Sequence, residues 1–599
     1  MSSSNGCMGL ELAQVAVNWE RRDGATYLRS GHALEAPPET LGSLLRSATE
    51  RAPSRVFLAE RAGDGLREVS YAEALRAAEG IGSMLAEGDA APVLVLSGNS
   101  VDHALLMLGG FLSGTPIAPV SVAYSTLSQD FGKLRHIVQK LRPTRVFVDR
   151  RGPYERALSS EILSGLEVLT SDELRGAMAR EASPALAARE AHVGASSVAK
   201  VLFTSGSTGI PKGVPNTHGM LSANQQMIAQ LWPFLADEPP VLVDWLPWSH
   251  TFGGNHNFNL VLRHAGTLLI DEGKPRPDLL AATLRNLKAV APSLYFNVPA
   301  GYAALVPQLE RDEALSNAFF SKLRVLFYAA AALPEDLWRR LSTLAKQAGN
   351  AELFMTTAWG STETSPLATS AHFSLERAGN IGVPAPGVEL KLVPQGDKLE
   401  VRVKGPSVMS GYLEEPELTR AAFDEEGFYR IGDAVRLVDP EHPERGLLFD
   451  GRVAEDFKLG TGTWVSVGAL RTGLLAATSP VLQDVVVAGH DGEFIGVLAW
   501  LNPGGCVALT EQELPMAELA THPAVQEHLQ RSVERWNAEH PANSMRIARV
   551  LLLADPPNID AGEITDKGYI NQRATLDARR EAVAQLLSPE PPPEVLSFG

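Results

Sequence analysis

Short apolar runs alternate with helical patterns along the first two-thirds of the chain, and this alternation constrains the fold more than any other feature. The first run, residues 92–97, is followed by a helical pattern over residues 99–112. Layered α/β folds with mostly parallel strands are built from such alternation. The same reasoning predicts strands at 144–149, 199–203, 241–246 and 267–271, and a helix at 277–287.

The pattern changes after about residue 385. Residues 389–393 and 399–404 alternate apolar and polar side chains, as half-buried antiparallel strands do. Beyond residue 452 the chain continues as a smaller α+β segment, in which residues 485–498 predict a hairpin that turns at Asp491-Gly492.

We therefore predict an α/β protein with two parts. A large N-terminal domain of layered α/β subdomains spans residues 1–452 and includes a β-rich subdomain near 385–450. A small C-terminal α+β domain spans residues 453–599.

Composition excludes several classes of protein. The net charge of −17 argues against nucleic acid or an anionic membrane as the main partner. Only Cys7 and Cys506 are present, so a disulfide scaffold is excluded and a cytoplasmic location is expected. The first residues lack a signal-peptide pattern, and glycines and prolines interrupt the apolar stretch 104–120, so we expect no membrane span.

A loop rich in glycine and hydroxyl side chains follows the strand pattern at 199–203. Glycines let backbone N–H groups approach an anion closely, hydroxyls add donors, and Lys212 adds a positive charge. No glycine directly precedes Lys212 and no Ser or Thr follows it, so this is not a Walker A loop and a P-loop kinase is disfavoured. A linker is the alternative, but a loop at the end of a buried strand favours a polyphosphate site. The candidate phosphate-binding residues are Thr204, Ser205, Gly206, Ser207, Thr208, Gly209 and Lys212.

Five further segments complete a recognisable set of motifs. In order and spacing they resemble the core motifs of the acyl-adenylate-forming superfamily, which includes acyl-CoA synthetases, peptide-synthetase adenylation domains and beetle luciferases. The resemblance covers roughly residues 40–580 and implies the adenylate-forming fold, with a hinge before a mobile small domain. The segments are 357–363, 429–433, 450–452, 457–458 and 562–568.

The resemblance implies how the chain holds ATP and magnesium. The 204–212 loop closes over the β- and γ-phosphates, and Thr362 bonds the α-phosphate. Glu363 holds Mg²⁺ together with Thr208, which suits the preference of this ion for oxygen ligands. From the residues alone, Glu363 could equally be an acidic residue at a helix N-terminus.

The resemblance also implies the contacts to the nucleoside. Trp359 lies against adenine, with Gly360 and Ser361 in the same site, and Asp433 and Arg452 bind the ribose hydroxyls. A carboxylate can accept both ribose O–H bonds. From the residues alone, Asp433 could instead be a turn residue after a glycine.

Two lysines match catalytic positions of the family. Lys567 corresponds to a lysine that bridges the attacking carboxylate and the α-phosphate, offsetting their repulsion in the adenylation step. Lys458 corresponds to a lysine that enters the site when the small domain rotates for thioester formation. An isolated lysine at either position is otherwise a solvated surface residue.

A narrower resemblance is to bacterial feruloyl-CoA synthetases. It rests on residues 26–30, 119–125, 248–258 and 455–464. The chain departs from the common superfamily pattern at Ala454, where the hinge position is normally Asp or Lys, and at Ile431, which replaces a threonine. The turn after Lys458 carries an extra residue. These departures leave the hinge mechanics open.

A pocket for an aromatic acid is predicted around residues 250–257 and 328–332. Small side chains leave room for a flat ring, and aromatic side chains stack on it. Asn255, His256 and Asn257 supply polar partners for a para hydroxyl. Alternatively, the alanine run is a tightly packed turn and His250 is a structural residue. The candidate pocket residues are His250, Phe252, Asn255, Tyr328, Ala329 and Ala331.

These observations predict an ATP-dependent acid–CoA ligase acting on a hydroxycinnamate such as ferulate, using ATP, Mg²⁺ and coenzyme A, as a monomer or homodimer. A fatty acid–CoA ligase would share every nucleotide motif. A peptide-synthetase adenylation domain is disfavoured because no carrier-protein segment follows Lys567. A non-catalytic nucleotide-binding regulator is disfavoured because Lys458 and Lys567 are both present.

Overall fold

A computed structural model describes residues 9–205, 210–276, 278–396, 398–564 and 570–598. Five predicted site residues, Gly206, Ser207, Thr208, Gly209 and Lys567, lie outside the described residues, and the side chain of Ser205 is likewise not described.

The strands in chain order are β1 (Val17–Arg22), β2 (Ala25–Ser30), β3 (Val56–Ala62), β4 (Gly65–Ser70), β5 (Val93–Val95), β6 (Ile117–Pro119), β7 (Arg145–Phe147), β8 (Glu167–Leu169), β9 (Val198–Ser205), β10 (Pro211–Thr217), β11 (Val241–Asp244), β12 (Thr267–Ile270), β13 (Leu294–Asn297), β14 (Val325–Tyr328), β15 (Phe354–Gly360), β16 (Leu367–Ser370), β17 (Asn380–Pro384), β18 (Glu389–Gln395), β19 (Lys398–Lys404), β20 (Tyr429–Leu437), β21 (Leu447–Arg452), β22 (Phe457–Lys458), β23 (Trp464–Val465), β24 (Leu482–Ala488), β25 (Ile495–Leu501), β26 (Ile547–Leu552) and β27 (Val595–Ser597).

The α-helices are α1 (Leu41–Arg51), α2 (Tyr71–Ala86), α3 (Val101–Ser113), α4 (Ala123–Thr126), α5 (Gly132–Leu141), α6 (Glu155–Leu158), α7 (Ser171–Met178), α8 (Pro184–Glu190), α9 (His218–Leu231), α10 (Phe258–Arg263), α11 (Leu280–Ala289), α12 (Pro299–Arg311), α13 (Glu313–Phe320), α14 (Glu335–Gln347), α15 (Pro416–Ala422), α16 (Val467–Ala477), α17 (Pro503–Thr510), α18 (Met516–Thr521), α19 (Pro523–Glu539), α20 (Gln572–Ala578) and α21 (Arg580–Leu587).

A six-stranded sheet, ordered β10-β9-β6-β5-β7-β8, carries the phosphate-loop candidate. Its strands are parallel except β10, which pairs with β9 as an antiparallel hairpin. Val93 and Val95 face one apolar core and Leu94 faces another, so helices cover both sides of the sheet. This confirms the predicted α/β layers.

Two more sheets complete the large part of the chain. A four-stranded sheet is ordered β11-β12-β3-β4, and an eleven-stranded sheet joins the parallel strands β13, β14 and β15 to antiparallel strands. Strands β18 and β19 are antiparallel, as the alternating pattern predicts. Strand β2 pairs with β18 and β1 pairs with β2, so residues 17–30 extend the β-rich sheet beyond the 385–450 segment.

The C-terminal residues build a separate sheet, ordered β24-β25-β26-β27, with apolar clusters drawn only from residues 457–598. Strands β24 and β25 form the predicted antiparallel hairpin. Across the described ranges, no helix is both long and apolar enough to cross a membrane.

Candidate active site

The hairpin β9–β10 places the first and last residues of the phosphate-loop candidate side by side. Lys212 in β10 pairs with Thr204 in β9. The ammonium of Lys212 lies 5.3 Å from the ring centre of Tyr412, and the backbone N–H of Leu413 donates to the carbonyl of Gly213 at 2.8 Å. The strand that contains Lys212 is therefore fixed against a segment nearly 200 residues away.

The segment 357–363 ends β15 in a tight turn. A Cβ at Gly360 would lie 1.6 Å from the carbonyl oxygen of Pro366, so only glycine fits there. The backbone N–H of Ser361 donates to Thr364 Oγ1 at 2.8 Å, which closes a single 3₁₀ turn over Thr362–Thr364. Glu363 therefore lies in the first turn of a short 3₁₀ helix, which agrees with the alternative of an acidic residue at a helix N-terminus. Its side chain also reaches Tyr412, next to Lys212.

Two tyrosines, one half-buried and one buried, lie beside Glu363. Its Oε1 accepts a hydrogen bond of 3.1 Å from the hydroxyl of Tyr412, which lies 3.2 Å from the hydroxyl of Tyr429. Burial raises the pKa of both tyrosines, so they remain protonated donors. Tyr412 belongs to none of the sequence motifs; only its aromatic character between two of them could have drawn attention to it.

Asp433 links the adenine and ribose candidates. It is buried in β20, opposite Arg452 in β21, and is not a turn residue. Its Oδ2 accepts the indole N–H of Trp359 at 2.9 Å, and its Oδ1 lies 2.9 Å from Nε of Arg452. Burial raises the pKa of Asp433, while the Arg452 charge and the Trp359 hydrogen bond oppose that rise. Oδ1 accepts no well-aligned hydrogen bond from a described residue, so it can accept one from a ligand hydroxyl.

The residues present fit a magnesium ion shared with a nucleotide. Mg²⁺ commonly takes one or two carboxylates and completes its shell with phosphate oxygens and water. Glu363 supplies one buried carboxylate, of which only Oε1 makes a side-chain hydrogen bond to a described residue. The described ranges hold no cluster of three or more His, Cys, Asp or Glu side chains, so phosphates would provide the remaining ligands.

A π-helix spans Phe252–Asn257 and is linked through Asn216 to the Thr362–Thr364 turn. The amide of Asn255 donates to Asn216 Oδ1 at 2.9 Å, and the Asn216 amide donates to the carbonyl of Thr362 at 3.4 Å. Asn257 donates to Asp244 Oδ2 at 2.9 Å. The NH₂ groups of Asn255 and Asn257 therefore hold the segment in place, whereas the buried Oδ1 of Asn255 has no hydrogen-bond partner among the described residues. A polar role for Asn255 in the pocket stays a prediction.

A small cavity of about 10 Å³ lies between the π-helix, α9 and β14–β16, and Ala358, the residue before Trp359, is part of its lining. It has room for roughly one water molecule. His256 is its only ionisable lining residue, and burial lowers the pKa of His256 to about 4, so the ring is neutral near pH 7. The lining includes Trp232, His256, Phe327, Ala358, Leu367 and Ser370.

The alternation of side chains along β14 corrects one pocket prediction. Phe327 stacks 5.4 Å from His256 and lies 5.7 Å from Phe252, on the cavity side of the strand. Tyr328 points to the other face, where its ring meets Trp338 and its hydroxyl accepts the N–H of Gly379. Phe327, which the sequence reasoning missed, therefore takes the place predicted for Tyr328.

The remaining pocket candidates differ in their exposure. Phe252 and Ala329 are half-buried and pack against the main apolar core, His250 is buried, and Ala331 is exposed. The alanine run is therefore not a tightly packed turn. A ring-binding role for these residues stays a prediction.

The C-terminal part contributes an exposed lysine and a docked segment. Lys458 is exposed, with its ammonium 5.6 Å from the ring centre of Trp464. Asp560 Oδ2 accepts the backbone N–H of Gln129, and Lys133 of α5 donates to the carbonyl of Ile559. One turn further along α5, His136 Nε2 lies 3.1 Å from the carbonyl oxygen of Pro211, next to Lys212. The segment that leads to Lys567 thus lies against the same helix as the phosphate-loop hairpin.

Comparison with known proteins adds a family and a fold. Residues 45–413 match the family described as AMP-binding enzyme. A probable CoA ligase of Humulus lupulus is 25% identical over 49% of this chain and 48% of its own length. A mitochondrial malonate–CoA ligase of Homo sapiens is 28% identical over 49% of this chain and 54% of its own length. The chain thus spans about half the length of these curated relatives.

Solved structures show the same architecture. An anthranilate CoA ligase in complex with anthranoyl-AMP superposes with a TM-score of 0.70, covering 91% of this chain and 98% of that one at 20% identity. At this level of identity the likeness establishes the adenylate-forming fold, which confirms the predicted fold class.

Proposed function

The chain belongs to the AMP-binding enzyme family, and from this premise we propose that it is an ATP-dependent carboxylic acid–CoA ligase. The observation that carries the proposal is the convergence of three segments. Lys212 and Glu363 meet at Tyr412, while Trp359, four residues before Glu363, is bonded to the Asp433–Arg452 pair. A cation, a carboxylate, an aromatic ring and a ribose-binding acid together suit MgATP.

The proposed reaction has two displacements. An oxygen of the substrate carboxylate attacks the α-phosphorus of ATP, the bond to the β-phosphate oxygen breaks, and pyrophosphate leaves. The sulfur of coenzyme A then attacks the acyl carbon, AMP leaves with the electron pair of the broken C–O bond, and the thiol proton goes to solvent.

In the first displacement, two anions must approach each other. Lys212 offsets the charge of the β- and γ-phosphates, Thr362 donates to the α-phosphate, and Lys567 stabilises the negative charge shared by the carboxylate and the α-phosphate. A magnesium ion held by Glu363 would supply further charge neutralisation at the phosphates. Asp433 and Arg452 orient the ribose, and Trp359 covers adenine.

We further propose that residues 453–599 move as a unit, with a hinge at Val453–Ala454, and that Lys458 serves the second displacement. The separate apolar clusters of the C-terminal part support this division. Lys458 is exposed and not held by an ion pair to any described carboxylate, which leaves it available in another arrangement.

For the acid, we propose an uncharged aromatic ring, as in ferulate or 4-coumarate. Phe252, His256 and Phe327 form an aromatic wall, and flat rings pack favourably on such surfaces. A dicarboxylate such as malonate is disfavoured because the only ionisable residue of the cavity, His256, is neutral.

The deciding experiment measures pyrophosphate release with MgATP across benzoates, hydroxycinnamates, malonate and fatty acids, with and without coenzyme A. We expect release with aromatic acids and thioester only when coenzyme A is added. Lys567→Ala should lower acid-dependent release by about 10²-fold or more while sparing thioester formation from supplied acyl-AMP. No acid-dependent release by the wild type would overturn the ligase proposal, and a preference for octanoate would overturn the aromatic one.

A further inference from the structure

Lys200 is a completely buried lysine that the proposed chemistry does not use. It lies in β9, four residues before Thr204, and no described carboxylate lies within ion-pair distance of it. Its stem is packed between aromatic rings, with Nζ 5.6 Å from the ring centres of Phe111 and Phe258. Burial lowers the pKa of Lys200 to about 7. Burying an ammonium without a carboxylate partner costs free energy, so we looked for another interaction that compensates for this cost.

The ammonium makes one short contact, to the π-helix. Lys200 Nζ donates to the carbonyl oxygen of Gly254 at 2.5 Å. The next two carbonyls are also held by a side chain, because Gln225 Nε2 lies 3.1 Å from the oxygen of Asn255 and 3.4 Å from that of His256. Three successive carbonyls of the π-helix are therefore fixed from β9 and α9.

The opposite side of the π-helix is fixed by close backbone approach. A Cβ at Gly253 would lie 2.3 Å from the carbonyl oxygen of Leu246, and one at Gly254 would lie 2.4 Å from that of Trp248. The segment is thus held between residues 246–248 and the side chains of β9 and α9. π-Helices are less stable than α-helices and occur often at functional sites, so external bonds of this kind matter for their geometry.

The held segment carries two residues of the acid pocket. Phe252 begins the π-helix, and His256 lies two residues after Gly254 and lines the small cavity next to β14. Since the ring positions of both residues depend on the path of this backbone, Lys200 controls the shape of the wall without touching the acid. We propose that Lys200 is a positioning residue that fixes the π-helix and thereby sets affinity and selectivity for the acid; this rests on the proposed function of the pocket.

The test replaces Lys200 with methionine, which keeps a flexible stem between the two rings and removes only the donor. We expect KM for 4-coumarate to rise about tenfold, the equivalent of one ordinary hydrogen bond. KM for ATP should stay within about twofold, because no contact described for Lys200 reaches the nucleotide residues. The ratio of kcat/KM for 4-coumarate to that for cinnamate should also fall. Lys200→Gln, which retains an amide donor, should give an intermediate KM.

The matched control is Tyr71→Phe. It removes a buried hydroxyl that donates to the carbonyls of Val261 and Gly266, beyond the π-helix, and should leave both KM values unchanged. Equal changes in KM for acid and for ATP, or an unchanged KM for acid, would overturn the inference. Loss of folded protein in both Lys200 variants but not in Tyr71→Phe would make Lys200 a structural residue and also overturn it. Absence of acid-dependent pyrophosphate release by the wild type would instead refute the proposed function, and this inference with it.

Discussion

Replacing Asp433 with asparagine removes one buried negative charge and keeps the size of the side chain. In the structure this carboxylate accepts the indole N–H of Trp359 and pairs with Arg452, each at 2.9 Å. Its Oδ1 retains capacity for a ribose hydroxyl. The variant therefore tests whether this acid binds the nucleotide or only holds Trp359.

The size of the effect follows from these contacts. A hydrogen bond to an ionised group contributes about 1.5–3 kcal/mol, so losing one to ribose should raise KM for ATP about 10- to 150-fold. The cost to folding should be small, since the Arg452 side chain left without its partner is 54% exposed and remains hydrated.

The assay is pyrophosphate release at saturating acid with ATP varied, together with the thermal midpoint of unfolding. Asp484→Asn is the matched control, because Asp484 pairs with Arg471 at 2.7 and 2.9 Å in the C-terminal part, away from the nucleotide residues. An Asp433→Asn enzyme whose KM for ATP stayed within twofold of the wild type would refute the assignment of Asp433 to ribose.

Three further predictions concern the metal, the acid and pH. Glu363→Gln should weaken turnover most at limiting Mg²⁺ without lowering the thermal midpoint; wild-type activity at both limiting and saturating Mg²⁺ would contradict the metal role. The enzyme should have a kcat/KM for ferulate or 4-coumarate at least about 100-fold above that for malonate, because a second carboxylate would be buried near a neutral His256 without a cation; comparable values would refute this. Burial lowers the pKa of His218 to about 4, so the unfolded state binds more protons below pH 6.5 and the stability from this group is lost as pH falls. At pH 5 this group lowers the free energy of unfolding by about 2 kcal/mol. In denaturant titrations, His218→Gln should therefore show a smaller fall in stability between pH 7 and pH 5 than the wild type. Parallel wild-type and variant curves would contradict the neutral burial of His218.

The sequence by itself identified the local elements near the site. The apolar run at 199–203 is β9, and the alternation at 389–404 is the antiparallel pair β18–β19. These features depend on a few neighbouring residues, so residue spacing and chemistry were enough to predict them.

Contacts between residues that are far apart in the sequence were decided only by the tertiary structure. Tyr412 reaches Glu363 because the segment 409–413 crosses the end of β10, a contact that no local pattern specifies. Strand β2 pairs with β18 although more than 350 residues separate the two strands. Such pairings depend on how sheets stack and on which strand edges remain open.

In the proposed acid pocket, too, the sequence could not predict which side chains of a strand face the site. The sequence reasoning chose residues of β14 for the proposed pocket, and the choice between Phe327 and Tyr328 depends on which face of that strand meets α9 and the π-helix. Neighbouring side chains in a strand point to opposite faces, so an error of one residue exchanges the pocket for the core behind it. The π-helix itself is held by Lys200 and Gln225 from other elements, which is why sequence alone predicted the residues of this segment but not the direction in which they point.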